Sequence, residues 1–103
     1  VQHVQRKVAQ FIEEQGLEIP TALRLLDLTS EVGEVAKAYL ESTRYGERPF
    51  VADGHWAEEL GDALFSLMAI ANRTGVDLER ALYQVLKKYA RRIQAKGHAG
   101  SGE

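Results

Sequence analysis

Apolar residues recur along most of this chain at helical rather than strand spacing. Val4, Val8, Phe11 and Ile12 share one stripe of a helix predicted from about Val4 to Gln15. Gly16 follows it and suits the left-handed position at which helices end. Pro20 and Thr21 mark the next start, since proline's fixed φ fits a first turn whose N–H groups have no helical partner. Leu23, Leu26, Leu28, Val32, Val35, Ala36, Tyr39 and Leu40 carry this second helix to about Thr43. Residues 44–55, RYGERPFVADGH, hold two glycines and a proline without periodicity and predict a loop. Asp53 is placed to cap a third helix from about Gly54 to Arg73, with Trp56, Leu60, Leu64, Leu67 and Ala71 on one stripe. Thr74-Gly75 closes it, and Asp77 caps a fourth helix carrying Leu78, Ala81, Leu82, Val85, Leu86, Tyr89 and Ile93.

No strand pattern or internal repeat interrupts this reading, so the expected fold is all-α, a four-helix bundle. Residues 1–95 form the expected single domain, and the glycine-rich end over 96–103 an expected flexible tail. Several helices carry apolar residues on more than one side. A bundle of this size is expected to bury that surplus against a second copy, as a homodimer or homotetramer.

Composition narrows the chemistry. At 103 residues, with 45% hydrophobic and 27% charged, the balance is that of one globular domain. The absence of cysteine excludes disulfides and thiolate metal sites. A net charge of −2 argues against nucleic acid as a partner, because phosphate-backbone affinity needs a basic surface. No apolar run reaches bilayer length, so no membrane partner is expected and the cytoplasm is the expected location.

The acids then stand out by their spacing. Glu31 and Glu34 are three apart on the second helix, and Glu59 and Asp62 three apart on the third. Each pair has a glycine just before its second acid, Gly33 and Gly61. Residues three apart share a helix face. If the two helices pack antiparallel across the 44–55 loop, the pairs face each other. Four converging carboxylates repel by about 4 kcal/mol per pair at 4 Å and an effective dielectric of 20, which protons or a cation must relieve. An all-oxygen set without His or Cys suits a hard ion, Mg²⁺ or alternatively Mn²⁺. On this reading the glycines let helices approach closely or leave room for a bulky ligand. Acid pairs also decorate solvated helix faces, so spacing alone leaves surface and metal readings both open.

The stretches LTSEVGEVAKAYLES and WAEELGDALFSLMAIANRTGVDLERAL resemble the MazG-like family of all-α nucleoside triphosphate pyrophosphohydrolases. Its signature is Glu-Glu-x-x-Glu, a variable gap, then Glu-x-x-Asp, and the resemblance covers roughly residues 20–93. It places Glu31, Glu34, Glu59 and Asp62 on the family's metal-binding carboxylates, with Ser30 where the first Glu of the signature stands; the dCTP pyrophosphatase branch also lacks an acid there. The resemblance implies Mg²⁺-dependent hydrolysis of a (deoxy)nucleoside triphosphate between its α and β phosphates, giving monophosphate and pyrophosphate. Glu34 or Glu31 is then the expected proton acceptor from the attacking water.

For the triphosphate, Lys88 and Arg92, four apart beside Tyr89, are the expected cations; a solvated basic face is the alternative. The family's Lys and Asn on this helix are replaced by Val85 and Tyr89. Tyr39 is a candidate for stacking on a base and Asn72 for reading a base edge; core packing and helix capping are their alternatives. His3, His55 and His98 show no ligand spacing and are expected at the surface. Two rival readings share the acids: a phosphoribosyl-ATP pyrophosphohydrolase, which carries Tyr-His where Phe65-Ser66 stands, and a catalytically weakened helical dimer that binds nucleotide or metal. A di-iron bundle needs Glu-x-x-His pairs, and there are none.

Overall fold

The computed structural model describes residues 1–96, which form four helices. They are α1 (Gln2–Gln15), α2 (Thr21–Ser42), α3 (Gly54–Thr74) and α4 (Leu78–Lys96). The ends are set by the signals the sequence carries. Gly16 and Gly75 stop α1 and α3 in left-handed conformations, φ 66° and 72°. Asp53 caps α3 by accepting the Trp56 N–H at 3.0 Å, and Asp77 accepts the Arg80 N–H at 3.2 Å at the start of α4. Lys96 still closes α4, and the expected tail from Gly97 onward lies outside the described residues, as does His98.

Helix α3 is the spine. Asp27 bonds Ser66, Thr21 bonds Arg73, and the Tyr39 ring meets Trp56. Across these pairs one residue number rises as the other falls, so α2 and α3 are antiparallel, joined by the 43–53 loop. Helix α1 also lies antiparallel to α3, with Phe11 edge-on to Phe65 at 6.3 Å and Gln5 bonded to Asn72. Helix α4 touches α1 near its own start, where Glu79 and Asp77 receive Val1 and Gln2, and has no extended packing on α2 or α3.

The core is small. Ile12, Ala38, Met68, Ala69 and Ala71 are its buried apolar side chains, and Ser66 is the most enclosed residue. Much of the expected core is therefore not buried within one chain. Val4 and Phe11 of the α1 stripe are about half exposed, and so are Leu60, Leu64 and Leu67 of the α3 stripe. On α4, Leu82, Leu86, Tyr89 and Ile93 repeat every three or four residues as one exposed row, and the helix has no buried residue. The physical reason is the open placement of α4, which leaves both its own face and part of α3 without a cover. A radius of gyration of 16.7 Å against the roughly 13 Å of a compact chain this long says the same.

Candidate functional site

The antiparallel pairing of α2 and α3 decides which acids meet. Ligand oxygens of Glu31, Glu59 and Asp62 all lie within 4.8 Å of one another. Glu31 and Glu59 are half-buried and Asp62 is exposed. Glu34, one turn further along α2, is exposed and falls outside this group of three. Its charge is nevertheless felt. The Glu31 carboxyl is pushed above the ordinary carboxylate range, first by burial and then by the charges of Asp62, Asp27, Glu59 and Glu34. Arg24 pairs with Asp27, but among the described residues no lysine or arginine pairs with Glu31, Glu59 or Asp62. Among the described residues the one ion-pair contact made by any of the three acids is His55 Nδ1 to Glu59 Oε1, at 3.9 Å. Three carboxylates without a counter-charge are an all-oxygen donor set that fits a hard divalent cation.

The glycines beside these acids resolve one alternative. A Cβ added at Gly33 or Gly61 would meet no atom within 4 Å. They are thus not there so that α2 and α3 can approach each other; they border open space beside the carboxylates. Ser30, where the signature has a further Glu, is exposed on α2.

Two acidic-site neighbours escaped the spacing argument. Asp27 lies one helical turn before Glu31, held by the Ser66 hydroxyl, which donates to it at 3.3 Å, and by Arg24 at 3.6 Å. Buried Arg24 also donates to the Leu17 carbonyl and rests over the Phe65 ring. The row Asp27, Glu31, Glu34 has helical periodicity, a signal that was available. His55 was the second: with Glu58 and Glu59 at i+3 and i+4 it has ligand spacing after all, and the three groups offer atoms within 4.8 Å. His55 is exposed, as expected, yet it flanks the centre.

Other predicted residues fall elsewhere. Asn72, expected at a base edge, is committed to α1. Its Oδ1 accepts from Gln5 Nε2 at 3.0 Å and its Nδ2 donates to the Gln5 carbonyl at 3.1 Å. Gln5, itself buried, in turn donates to the Val76 carbonyl and accepts the Leu78 N–H, so this pair ties α1 to the α3–α4 turn. Lys88 and Arg92 are half-buried on α4, and the Lys88 ammonium sits 5.3 Å from the centre of the Tyr89 ring. Tyr39 is half exposed and stacks on Phe50, ring centres 4.8 Å apart.

Phe50 was not foreseen because its position depends on the loop. Thr43, buried, donates to carbonyls of α2 and accepts the Gly46 N–H, while Arg48 bonds the carbonyls of Ser42 and Thr43. Arg44, Tyr45 and Gly46 all take positive φ, which turns the chain back on α2. Such a conformation costs non-glycine residues about 1–2 kcal/mol each, offset here by these bonds and by the ring stack.

Residues 20–95 match the model of the MazG nucleotide pyrophosphohydrolase domain. The chain is 39% identical over 89 residues to YpjD, an uncharacterised protein of Bacillus subtilis (strain 168), spanning 84% of this chain and 76% of that protein. It also superposes on a crystal structure from Bacillus subtilis described as that of a candidate pyrophosphatase, YpjD. The TM-score is 0.68 at 32% identity, covering 85% of this chain and 90% of that one. No helix among the described residues is long and apolar enough to cross a membrane.

Proposed function

The chain belongs to the MazG nucleotide pyrophosphohydrolase family, and on that premise we propose that it hydrolyses a nucleoside triphosphate between the α and β phosphates. The products are a nucleoside monophosphate and pyrophosphate, and the setting is a cytoplasmic nucleotide pool. The observation that carries this reading is the convergence of Glu31, Glu59 and Asp62 from two helices, with no lysine or arginine paired to them among the described residues. They are the residues that would hold the metal, with Glu34 at the edge of the set. Mg²⁺ held there, or Mn²⁺ in its place, would supply positive charge to neutralise the triphosphate and to acidify the attacking water. Glu34, exposed and outside the tight group, has a carboxylate left to accept the water's proton, and Glu31 is the second candidate. The open space at Gly33 and Gly61 leaves room for phosphates beside the acids.

The active form is a homodimer or homotetramer. Leu82, Leu86, Tyr89 and Ile93, each about half exposed, forgo about 1 kcal/mol of burial apiece in a single chain. A second copy covers that row, and Lys88 and Arg92 on the same helix contribute to phosphate binding in the assembly.

The test is turnover by the purified protein with Mg²⁺ against a panel of canonical and modified deoxynucleoside and nucleoside triphosphates, with products identified. Monophosphate with pyrophosphate, lost on chelation, is expected. If no substrate yields that pair, the reading gives way to a nucleotide- or metal-binding helical dimer. Glu34→Gln and Asp62→Asn variants as fast as the parent would remove the site assignment even with turnover intact.

A further inference from the structure

Helices α2 and α3 meet along a groove, and Glu31 faces Glu59 and Asp62 across it. One turn along, four residues before Glu31 and four after Asp62, the facing pair is Asp27 and Ser66. Ser66 is only 1% exposed. A hydroxyl so enclosed needs an acceptor, and it donates to Asp27 Oδ2 at 3.3 Å. Buried Arg24 approaches the same oxygen at 3.6 Å and is itself fixed, donating to the Leu17 carbonyl at 2.7 Å and lying over the Phe65 ring. Two enclosed side chains therefore hold one oxygen of Asp27 inside the groove. Its Oδ1 has no partner among the described residues.

A packing tie explains Oδ2 but not the charge. An asparagine would also accept from Ser66, without adding a negative charge beside three acids. Arg24 does not cancel that charge. Burial and then Asp62 act most on the Glu31 carboxyl, and Asp27 follows, ahead of Glu59 and Glu34.

The spacing then limits what the free oxygen can do. Four residues along a helix span about 6 Å, and Asp27 is outside the oxygens that converge within 4.8 Å. Direct ligation of Mg²⁺ needs an oxygen at about 2.0–2.1 Å. A contact through one water on the ion reaches about 5 Å, adding a hydrogen bond of about 2.8 Å. Mg²⁺ keeps several of its waters. An ionised carboxylate only accepts, and a bond from such a water to it is charge-assisted.

We propose that Asp27 is a positioning residue of the carboxylate centre: its free oxygen, fixed through Ser66 and Arg24, accepts a hydrogen bond from a water on the bound ion and favours Mg²⁺ over Ca²⁺. This rests on the metal-binding reading of Glu31, Glu59 and Asp62. The preference arises because Mg²⁺ demands near-ideal octahedral geometry with retained waters. Ca²⁺ accepts six to eight oxygens at about 2.3–2.6 Å in flexible arrangements, so it depends less on one fixed acceptor.

The test is calorimetric titration with Mg²⁺ and, separately, Ca²⁺, without nucleotide, on the parent, Asp27→Asn and Ser66→Ala. Circular dichroism in chelator checks that each is folded. Asp27→Asn keeps the shape and removes the charge, whereas Ser66→Ala keeps the charge and releases the carboxylate. Asp27→Asn is expected to weaken Mg²⁺ about tenfold and Ca²⁺ about threefold or less, and Ser66→Ala to weaken Mg²⁺ about threefold. The preference for Mg²⁺ falls in both. Equal losses for the two ions in Asp27→Asn, or unchanged Mg²⁺ affinity in Ser66→Ala, reduce Asp27 to a bare charge and overturn the proposal. Variants with parental affinities, from a parent that binds Mg²⁺ and hydrolyses triphosphates, overturn it and leave the hydrolase reading standing. A parent that binds neither ion overturns both.

Discussion

Replacing Glu31 by glutamine should stabilise the metal-free protein and destabilise it relative to the parent once metal is added. Glu31 faces Asp62 and Glu59 with oxygens within 4.8 Å. Two charges at that distance repel by about 1 kcal/mol in a water-like medium and about 3.5 kcal/mol at an effective dielectric of 20. Asp62 is exposed and salt screens it, so we take the low figure. Relief of about 1 kcal/mol corresponds to a rise in Tm of about 4–8 °C for a domain of this size. The measurement is thermal unfolding of parent and Glu31→Gln at one protein concentration, first with a chelator and then with Mg²⁺ at about 100 times its Kd. There the parent gains about 2.7 kcal/mol by mass action and the variant much less, so the order of the two Tm values reverses. The effect of pH has a fixed sign. Because the Glu31 carboxyl is raised above its unfolded value, the metal-free parent gains stability as pH falls toward that raised value and loses it as pH rises through it. The gap between parent and variant therefore narrows on acidification. A variant less stable than the parent without metal, or one that gains as much from Mg²⁺, would refute the reasoning.

Further outcomes follow from other contacts. Gly33→Ala should raise metal-free stability by roughly 1 kcal/mol, since the new Cβ meets nothing and alanine suits a helix better; a lower Tm would show that another group fills that space. Gln5→Ala should cost about 2–3 kcal/mol in denaturant unfolding, because it leaves the Leu78 N–H, the Asn72 Oδ1 and the Val76 carbonyl without the Gln5 side chain. Leu86→Lys in the exposed row of α4 should shift the protein toward monomer in sedimentation velocity while leaving its helical circular dichroism intact. An unchanged sedimentation coefficient would place the interface elsewhere.

Helix existence and ends were legible because their causes are local. Gly16, Asp53, Gly75 and Asp77 act within a turn of their own positions, and each does in space what its residue type suggests. The paired acids were legible for the same reason, as a three-residue period fixes a shared face on each helix. Burial was not. Whether Leu60 or Leu82 is covered depends on what packs across from it, and periodicity describes a helix's apolar face without naming its partner.

The sequence by itself determined four helices, an all-α class and two acidic helix faces of matching period, because backbone sterics, capping and side-chain spacing are short-range. Only the tertiary structure decided that α2 and α3 run antiparallel in the register that unites Glu31, Glu59 and Asp62 and leaves Glu34 outside. It also committed Asn72 to Gln5 and folded Phe50 onto Tyr39. Each of these joins residues at least four apart in sequence, and most join different helices or a helix and a loop. Their energies come from burial and charge at a few ångströms, and those distances exist only once the helices have docked.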